Sequence, residues 1–308
     1  MIAGLLFKQI VELFLIIFVG FLLVKINLLK ESDSKVLSTI TLYAICPCVI
    51  IGSFQIECTP EVQKGLILSF VAAIVLHIVM IVFSHLLGKI FHLNNIELAS
   101  IIYTNSGNII MPIVIAIFGK EWVVYTTPFI VVQTLVIWTH GRMLICEQKK
   151  FDVMAIVKNI NVIASAIGIL FFVFNIQLPT LITETMDQMT NMVGPLSMLV
   201  AGMLIAGIDA KKYLKSKKFY LTLFLKMIVL PMLCLITLKL IDFESMVENG
   251  STIFLITLFA ASAPCAASIT QIAQVYDKDS EYASAYYFVT TLLCIITMPI
   301  FAWLFQTI

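Results

Sequence analysis

The chain has 308 residues, 61% hydrophobic and 12% charged, with a net charge of +1 and a mean hydropathy of +1.06. A water-soluble domain is nearer half apolar and a quarter charged, so these values exclude a soluble globular protein and leave lipid as the main solvent. No nucleotide-binding loop stands out, and the lysines at 211–218 suit anionic lipid headgroups rather than a nucleic acid.

A helix needs about 20 apolar residues to cross about 30 Å of hydrocarbon. That rule predicts an all-α membrane protein with ten spans: 4–24, 34–54, 65–88, 96–118, 121–146, 153–174, 186–208, 219–240, 251–275 and 281–305. Membrane β-barrels need strands that alternate apolar and polar residues, and these runs do not alternate. The first run, Ile10 to Val24, is longer than a secretory signal core and reads as a retained helix. Lys8 and Glu12, four apart near one end of span 1, predict an interfacial pair. Span 2 carries AICPCVI, in which Cys46 and Cys48 read as small apolar fillers beside a helix-bending Pro47. The cysteines fall mostly in apolar runs, with only Cys58 in a loop, so no disulfide framework is expected. His77 and His85 in span 3 read as hydrogen-bonded core residues, although either can titrate. Lys226, about two turns into span 8, is expected to snorkel to the interface, with the holding of an anionic substrate as the alternative. Gln271 and Gln274 extend a polar face of span 9.

Basic residues in short loops set orientation. Lys25, Lys30, Lys35, Lys89, Arg142, Lys149, Lys150, Lys158, the lysines at 211–218 and Lys278 all fall on one side of the ten-span arrangement. The other side has Lys8, Lys64, Lys120 and Lys239, together with the acidic turn Asp242, Glu244 and Glu248. The first side is read as cytoplasmic, with both termini outside the cell membrane.

The two halves look alike. Pro47 in span 2 matches Pro195 in span 7, in NMVGPLSML, and Pro112 in span 4 matches Pro264 in span 9. FIVVQTLVIW from Phe129 resembles FVTTLLCIIT from Phe288. Five spans per unit is an odd number, so the second unit, 151–308, enters the membrane upside down relative to the first, 1–150. Inverted repeats of this kind are a device of secondary transporters.

Within span 4 lies YTNSGNIIMP, Tyr103 to Pro112. Proline removes a backbone donor, Asn and Ser compete for backbone groups, and glycine adds freedom. Together they predict an unwound segment between Asn105 and Pro112. Its counterpart in span 9 is ASAPCAAS, with Ser262, Pro264, Cys265 and Ser268. Two broken helices crossing here would present half-helix N-termini, each with about half a positive charge, to one point. That is a site for an anionic group, with Asn105, Ser106, Gly107 and Asn108 adding side-chain and backbone contacts and Gln271 facing it from span 9.

At these residues the chain resembles the auxin efflux carrier family, which includes plant PIN proteins and bacterial carriers described as malate or malonate permeases. Asn105-Ser106-Gly107-Asn108-Ile109-Ile110-Met111-Pro112 looks like the family's span-4 pattern, Ala261 to Tyr276 like its span 9, GPLSMLVAGMLIA from Gly194 like its span 7, and YAICPCVIIGSF from Tyr43 like its span 2. Asn108 stands where Phe is usual and Ile110 where Gly is usual. The resemblance implies a scaffold of spans 1, 2, 6 and 7, with Pro47, Pro195 and Ser197 on its site-facing side. It implies a transport unit of spans 3–5 and 8–10, an elevator-like movement and a homodimer. The function expected is secondary transport of a small organic anion such as a carboxylate, with no cofactor and no metal. The alternative is a cation-coupled symporter or exchanger of similar fold, against which stands the lack of an aspartate near either crossover. An enzyme or receptor is disfavoured because no catalytic constellation accompanies the matched helix breaks.

Overall fold

The computed structural model describes residues 2–57, 59–147, 154, 157–207, 213, 215–241 and 247–308. Cys58, Lys149, Lys150, Lys211, Lys212, Asp242 and Glu244 lie outside the described residues, as do the side chains of Asn108, Ser197, Gln271 and Gln274. Among the described residues the regular structure is helical, apart from one antiparallel bridge between Thr104 and Cys265.

Helix α1 is Ile2–Lys25. A short turn at Glu31–Asp33 leads into α2 (Ser34–Ile40), a π-turn at Thr41–Ile45 and α3 (Cys46–Ser53). Helix α4, Pro60–Phe91, starts where Thr59 Oγ1 accepts from Val62 N and ends where His92 turns left-handed, φ 52°. Helix α5, Asn95–Ile102, opens on a capping box in which Asn94 and Glu97 exchange side-chain to backbone bonds. After a break come a π-turn at Ser106–Ile110 and α6 (Met111–Phe118). A 3-10 segment at Lys120–Tyr125, α7 (Thr127–Val136), a π-turn at Ile137–Gly141 and α8 (Arg142–Cys146) follow as one stretch. Then come α9 (Ile160–Val173) and α10 (Thr180–Ala206). Helix α11 (Lys217–Phe224) runs through a π-turn at Leu225–Val229 into α12 (Leu230–Ile241). The chain closes with α13 (Gly250–Ser262), a second break, α14 (Ala267–Val275) and α15 (Ser280–Thr307).

Six of these stretches among the described residues are long and apolar enough to cross a membrane: Glu31–Ser53, Pro60–Phe91, Lys120–Cys146, Thr180–Ala206, Lys217–Ile241 and Ser280–Thr307. Span 3 is longer than expected, as is span 7. Span 6, expected over 153–174, has its continuous described helix over Ile160–Val173, where Asn159 Oδ1 accepts from Asn161 N and Val162 N and caps the start. Three π-turns end just before a proline, at Pro47, Pro112 and Pro231. The widened turn makes room for a ring that would otherwise clash with the carbonyl four residues back.

Helix α4 shows the solvent logic of the chain. Ile67, Val71, Ile74, Ile78, Val82 and Leu86 recur at helical spacing and are exposed, while Ser69, Ala73, His77, Met80 and Ser84 are buried. The apolar stripe faces outward and the small and polar residues face the bundle, as lipid rather than water demands. Small residues also set the closest approach of α1 to α10. A Cβ on Gly202 would run into Ile17 O, and one on Gly20 into Leu199 O, so the two backbones meet only because both are glycine. Helix α3 seats Phe54 against Gly168 and Phe172 of α9. Helix α4 packs on α7 and α13, and α14 packs on α15. The Lys8–Glu12 pair forms at 3.7 Å with both side chains exposed.

Candidate functional site

Both breaks lie where the sequence is polar and proline-bearing, and they meet. Asn105 N donates to Pro264 O at 2.7 Å, and Ala266 N donates to Tyr103 O at 3.1 Å. Thr104 and Cys265 therefore face each other across a single antiparallel bridge. That pairing satisfies the inward-facing peptide groups and turns those of Thr104 and Cys265 outward. Gln133 of α7 takes up the first set: its Oε1 accepts from Thr104 N at 3.0 Å and from Thr104 Oγ1 at 2.7 Å. Its Nε2 donates to Thr104 O at 2.7 Å and to Ser106 Oγ at 2.9 Å. On the other side, Thr290 Oγ1 of α15 accepts from Cys265 N at 3.1 Å. Each bond removes the desolvation cost of a buried peptide group.

The unwound segment is shorter and earlier than expected. It covers Tyr103–Asn105, and helix resumes at Ser106, so Pro112 lies in the first turn of α6 rather than at the end of a loop. The antiparallel bridge is formed by the residues before Ser106, and the π-turn absorbs Pro112 without unwinding.

Lys226 corrects a second expectation. It does not snorkel; it is 1% exposed, and its ammonium donates to Ile101 O at 2.9 Å and Tyr103 O at 3.2 Å. These carbonyls belong to the last turn of α5 and to the break, where no helical N–H remains to pair with them. A cation at a helix C-terminus is favourable, and the π-turn at Leu225–Val229 carries Lys226 at this place.

Beside the crossing lies a cavity of about 580 Å³. Its floor is formed by Thr104, Asn105, Ser106 and Gly107 from the first break and by Ala266, Ala267 and Ser268 from the second, with Gln133, Thr134 and Tyr287 alongside. Ser38, Thr41, Tyr43 and Cys46 face it from the second span, Lys158, Asn159 and Asn161 from the start of the sixth, and Val200 and Leu204 from α10. Two helices begin in this wall, at Ser106 and at Ala267, and the first amides of a helix have no intrahelical partner. A Cβ on Gly107 would meet nothing within 4 Å, so this backbone borders open space. Asn105 Nδ2 donates to Tyr287 OH at 3.5 Å.

Of the residues singled out from sequence, Asn105, Ser106, Gly107 and Ser268 line the cavity. Pro264 and Cys265 form the bridge beneath it, Ser262 Oγ donates back to Leu258 O at 2.8 Å, and Pro112 packs against Gly194 of α10. Pro47 and Pro195 are not in the cavity wall; their helices contribute Cys46 and Val200 instead. Gln133, Thr290, Tyr287, Lys158, Asn159 and Asn161 were not singled out as site residues. Gln133 carried a signal, being a carboxamide inside FIVVQTLVIW, whereas the threonine and tyrosine resemble ordinary helix residues. The six described cysteines are free thiols, and Cys46 is buried in the cavity wall.

An apolar helical bundle with two interrupted helices crossing beside a cavity edged by polar side chains is the arrangement that membrane transporters use. A family model described as "Membrane transport protein" matches residues 5–159 and 148–302. The chain belongs to this family, the auxin efflux carrier family its motifs resemble. It is similar to an uncharacterized transporter of Methanocaldococcus jannaschii, 23% identical over 314 residues that cover 94% of this chain and 96% of that protein. It is thus a multi-pass membrane protein of a transporter family.

Proposed function

We propose that this chain is a secondary carrier of small organic anions, carboxylates first among them, and that the cavity at the crossing is its binding site. One observation supports this most. Among the described residues lining the cavity only Lys158 carries a formal charge, and it is positive. The helices starting at Ser106 and Ala267 add about half a positive charge each at their ends. No carboxylate stands among those lining residues to hold a coupling metal cation, which favours this reading over a cation-coupled exchanger. Asn105, Ser106 and Ser268 are the groups that would bond the carboxylate, with Asn108 and Gln271 as further candidates.

The same reading takes residues 1–150 and 151–308 as inverted five-helix units. It is supported by the breaks in both halves and by the two stretches that the family model matches. Spans 1, 2, 6 and 7 then form the scaffold, against which spans 3–5 and 8–10 carry the site across the membrane, possession of the substrate alternating between the two sides. Uptake of labelled malate, malonate and indole-acetate into proteoliposomes tests it. Wild-type protein is expected to move at least one of them, and Asn105→Ala to abolish that uptake with folding intact. Failure of all three under every imposed gradient would refute the carboxylate reading.

A further inference from the structure

We propose that His140 is the site at which this carrier binds a coupling proton, and that the Tyr103 hydroxyl passes its protonation state to the helix crossing. The inference rests on the carrier reading above.

Tyr103 OH lies 2.7 Å from His140 Nδ1 and 3.2 Å from Val136 O. A carbonyl can only accept, whereas Nδ1 accepts when bare and donates when protonated. With His140 neutral at Nδ1, the hydroxyl donates to the ring. With Nδ1 protonated, the ring donates to the hydroxyl oxygen and the hydroxyl hydrogen turns to Val136 O. Both states are hydrogen-bonded, and they interconvert by rotation of one O–H bond, so the site accepts and releases a proton without orphaning a group. His77 has no such arrangement: its Nδ1 lies 2.7 Å from Ala73 O, and its buried Nε2 has no partner among the described residues.

His85 completes the site. Its Nδ1 lies 2.9 Å from Ile81 O and donates there, which fixes the orientation of the ring. The two imidazoles meet edge to face with centroids 5.1 Å apart. His140 is faced by His85 from α4 and Tyr103 from the break, while Arg142, two residues on, has its guanidinium over Tyr276 at 5.3 Å. Lys226 reaches the carbonyl of Tyr103, and Glu147 and Lys278 pair further along at 3.9 Å. Among the described residues no carboxylate pairs with either imidazole. Both are half-buried, and His85 is six residues from the end of α4, about 9 Å along its axis.

Tyr103 links this proton to the substrate site because its carbonyl takes both the Ala266 N–H and the Lys226 ammonium. Its ring is held close to Gly141, where a Cβ would come within 2.9 Å. A change in what its hydroxyl bonds is therefore felt at the bridge between the broken helices.

The test uses full-length protein in proteoliposomes with labelled malate, the membrane potential clamped at zero. One coupled proton and a gradient of about one pH unit give about tenfold accumulation. Wild type is expected to show it, and His140→Gln to lose the pH-gradient stimulation. Full stimulation in His140→Gln, or wild-type malate exchange indifferent to the gradient, overturns the proposal and leaves the carboxylate reading standing. A second readout needs no substrate: ¹⁵N-histidine spectra between pH 5 and 8, with His140 assigned by its loss in His140→Gln. Its signal is expected to titrate and to shift in Tyr103→Phe. A His140 signal that does not titrate overturns the proposal even if malate is not transported.

Discussion

Replacing Gln133 with leucine keeps the side-chain volume close to its present value and removes four hydrogen bonds at the crossing. The hydroxyls of Thr104 and Ser106 can rotate to other acceptors. The Thr104 N–H and C=O cannot, since the residue is 1% exposed and its backbone is fixed by the bridge to Cys265. An orphaned buried group costs about 1–3 kcal/mol, so two of them put Gln133→Leu about 2–6 kcal/mol below wild type. Thr290→Val orphans one peptide group, Cys265 N–H, and is expected to cost about 1–3 kcal/mol. Thermal unfolding in detergent, followed by size-exclusion of the surviving monodisperse protein, ranks the two. Hydrogen exchange of the peptide covering 103–108 is expected to rise in Gln133→Leu. Wild-type thermal stability and wild-type exchange in Gln133→Leu would show that these bonds do not hold the break.

Two further outcomes follow from the same geometry. Facing residues of a non-hydrogen-bonded antiparallel pair lie about 4.5 Å apart, inside the range a disulfide spans. Mild oxidation of Thr104→Cys should link position 104 to Cys265, found as one cross-linked peptide by mass spectrometry, and its absence would mean the breaks do not pair. Lys226, sealed against Ile101 O and Tyr103 O, should escape a water-soluble amine-acylating reagent that modifies the exposed Lys217, and should react only after unfolding; native-state modification would restore the snorkelling picture.

The breaks were legible because their residues violate the solvent rule of the surrounding run. A proline, a glycine and carboxamides within apolar sequence have no use unless backbone is exposed to protein or water. Their partners were harder to see. Thr290 looks like any threonine that bonds back into its own helix, which it also does, to Tyr286 O at 2.8 Å. Lys226 misled because a long basic side chain near a span end can reach water as easily as a buried carbonyl, and only the position of α5 decides which. The pattern of Asn, Ser, Gly and Pro between Asn105 and Pro112 locates the break a few residues too late. The π-turn at Ser106–Ile110 absorbs Pro112, and the bridge with Pro264 and Cys265 sets where the helix stops. The start of α9 depended on the carboxamide of Asn159, a local cap that hydropathy does not register.

The most direct test of the central claim, that the anion binds where the two broken helices meet, is substrate protection at Gly107. A maleimide is reacted with Gly107→Cys in the full-length protein, and the extent of reaction at that position is read by mass spectrometry with and without malate. The account predicts slower reaction at malate concentrations that saturate uptake, because a side chain at position 107 projects into the cavity. An unchanged rate at 107 while uptake is saturated would place the substrate elsewhere.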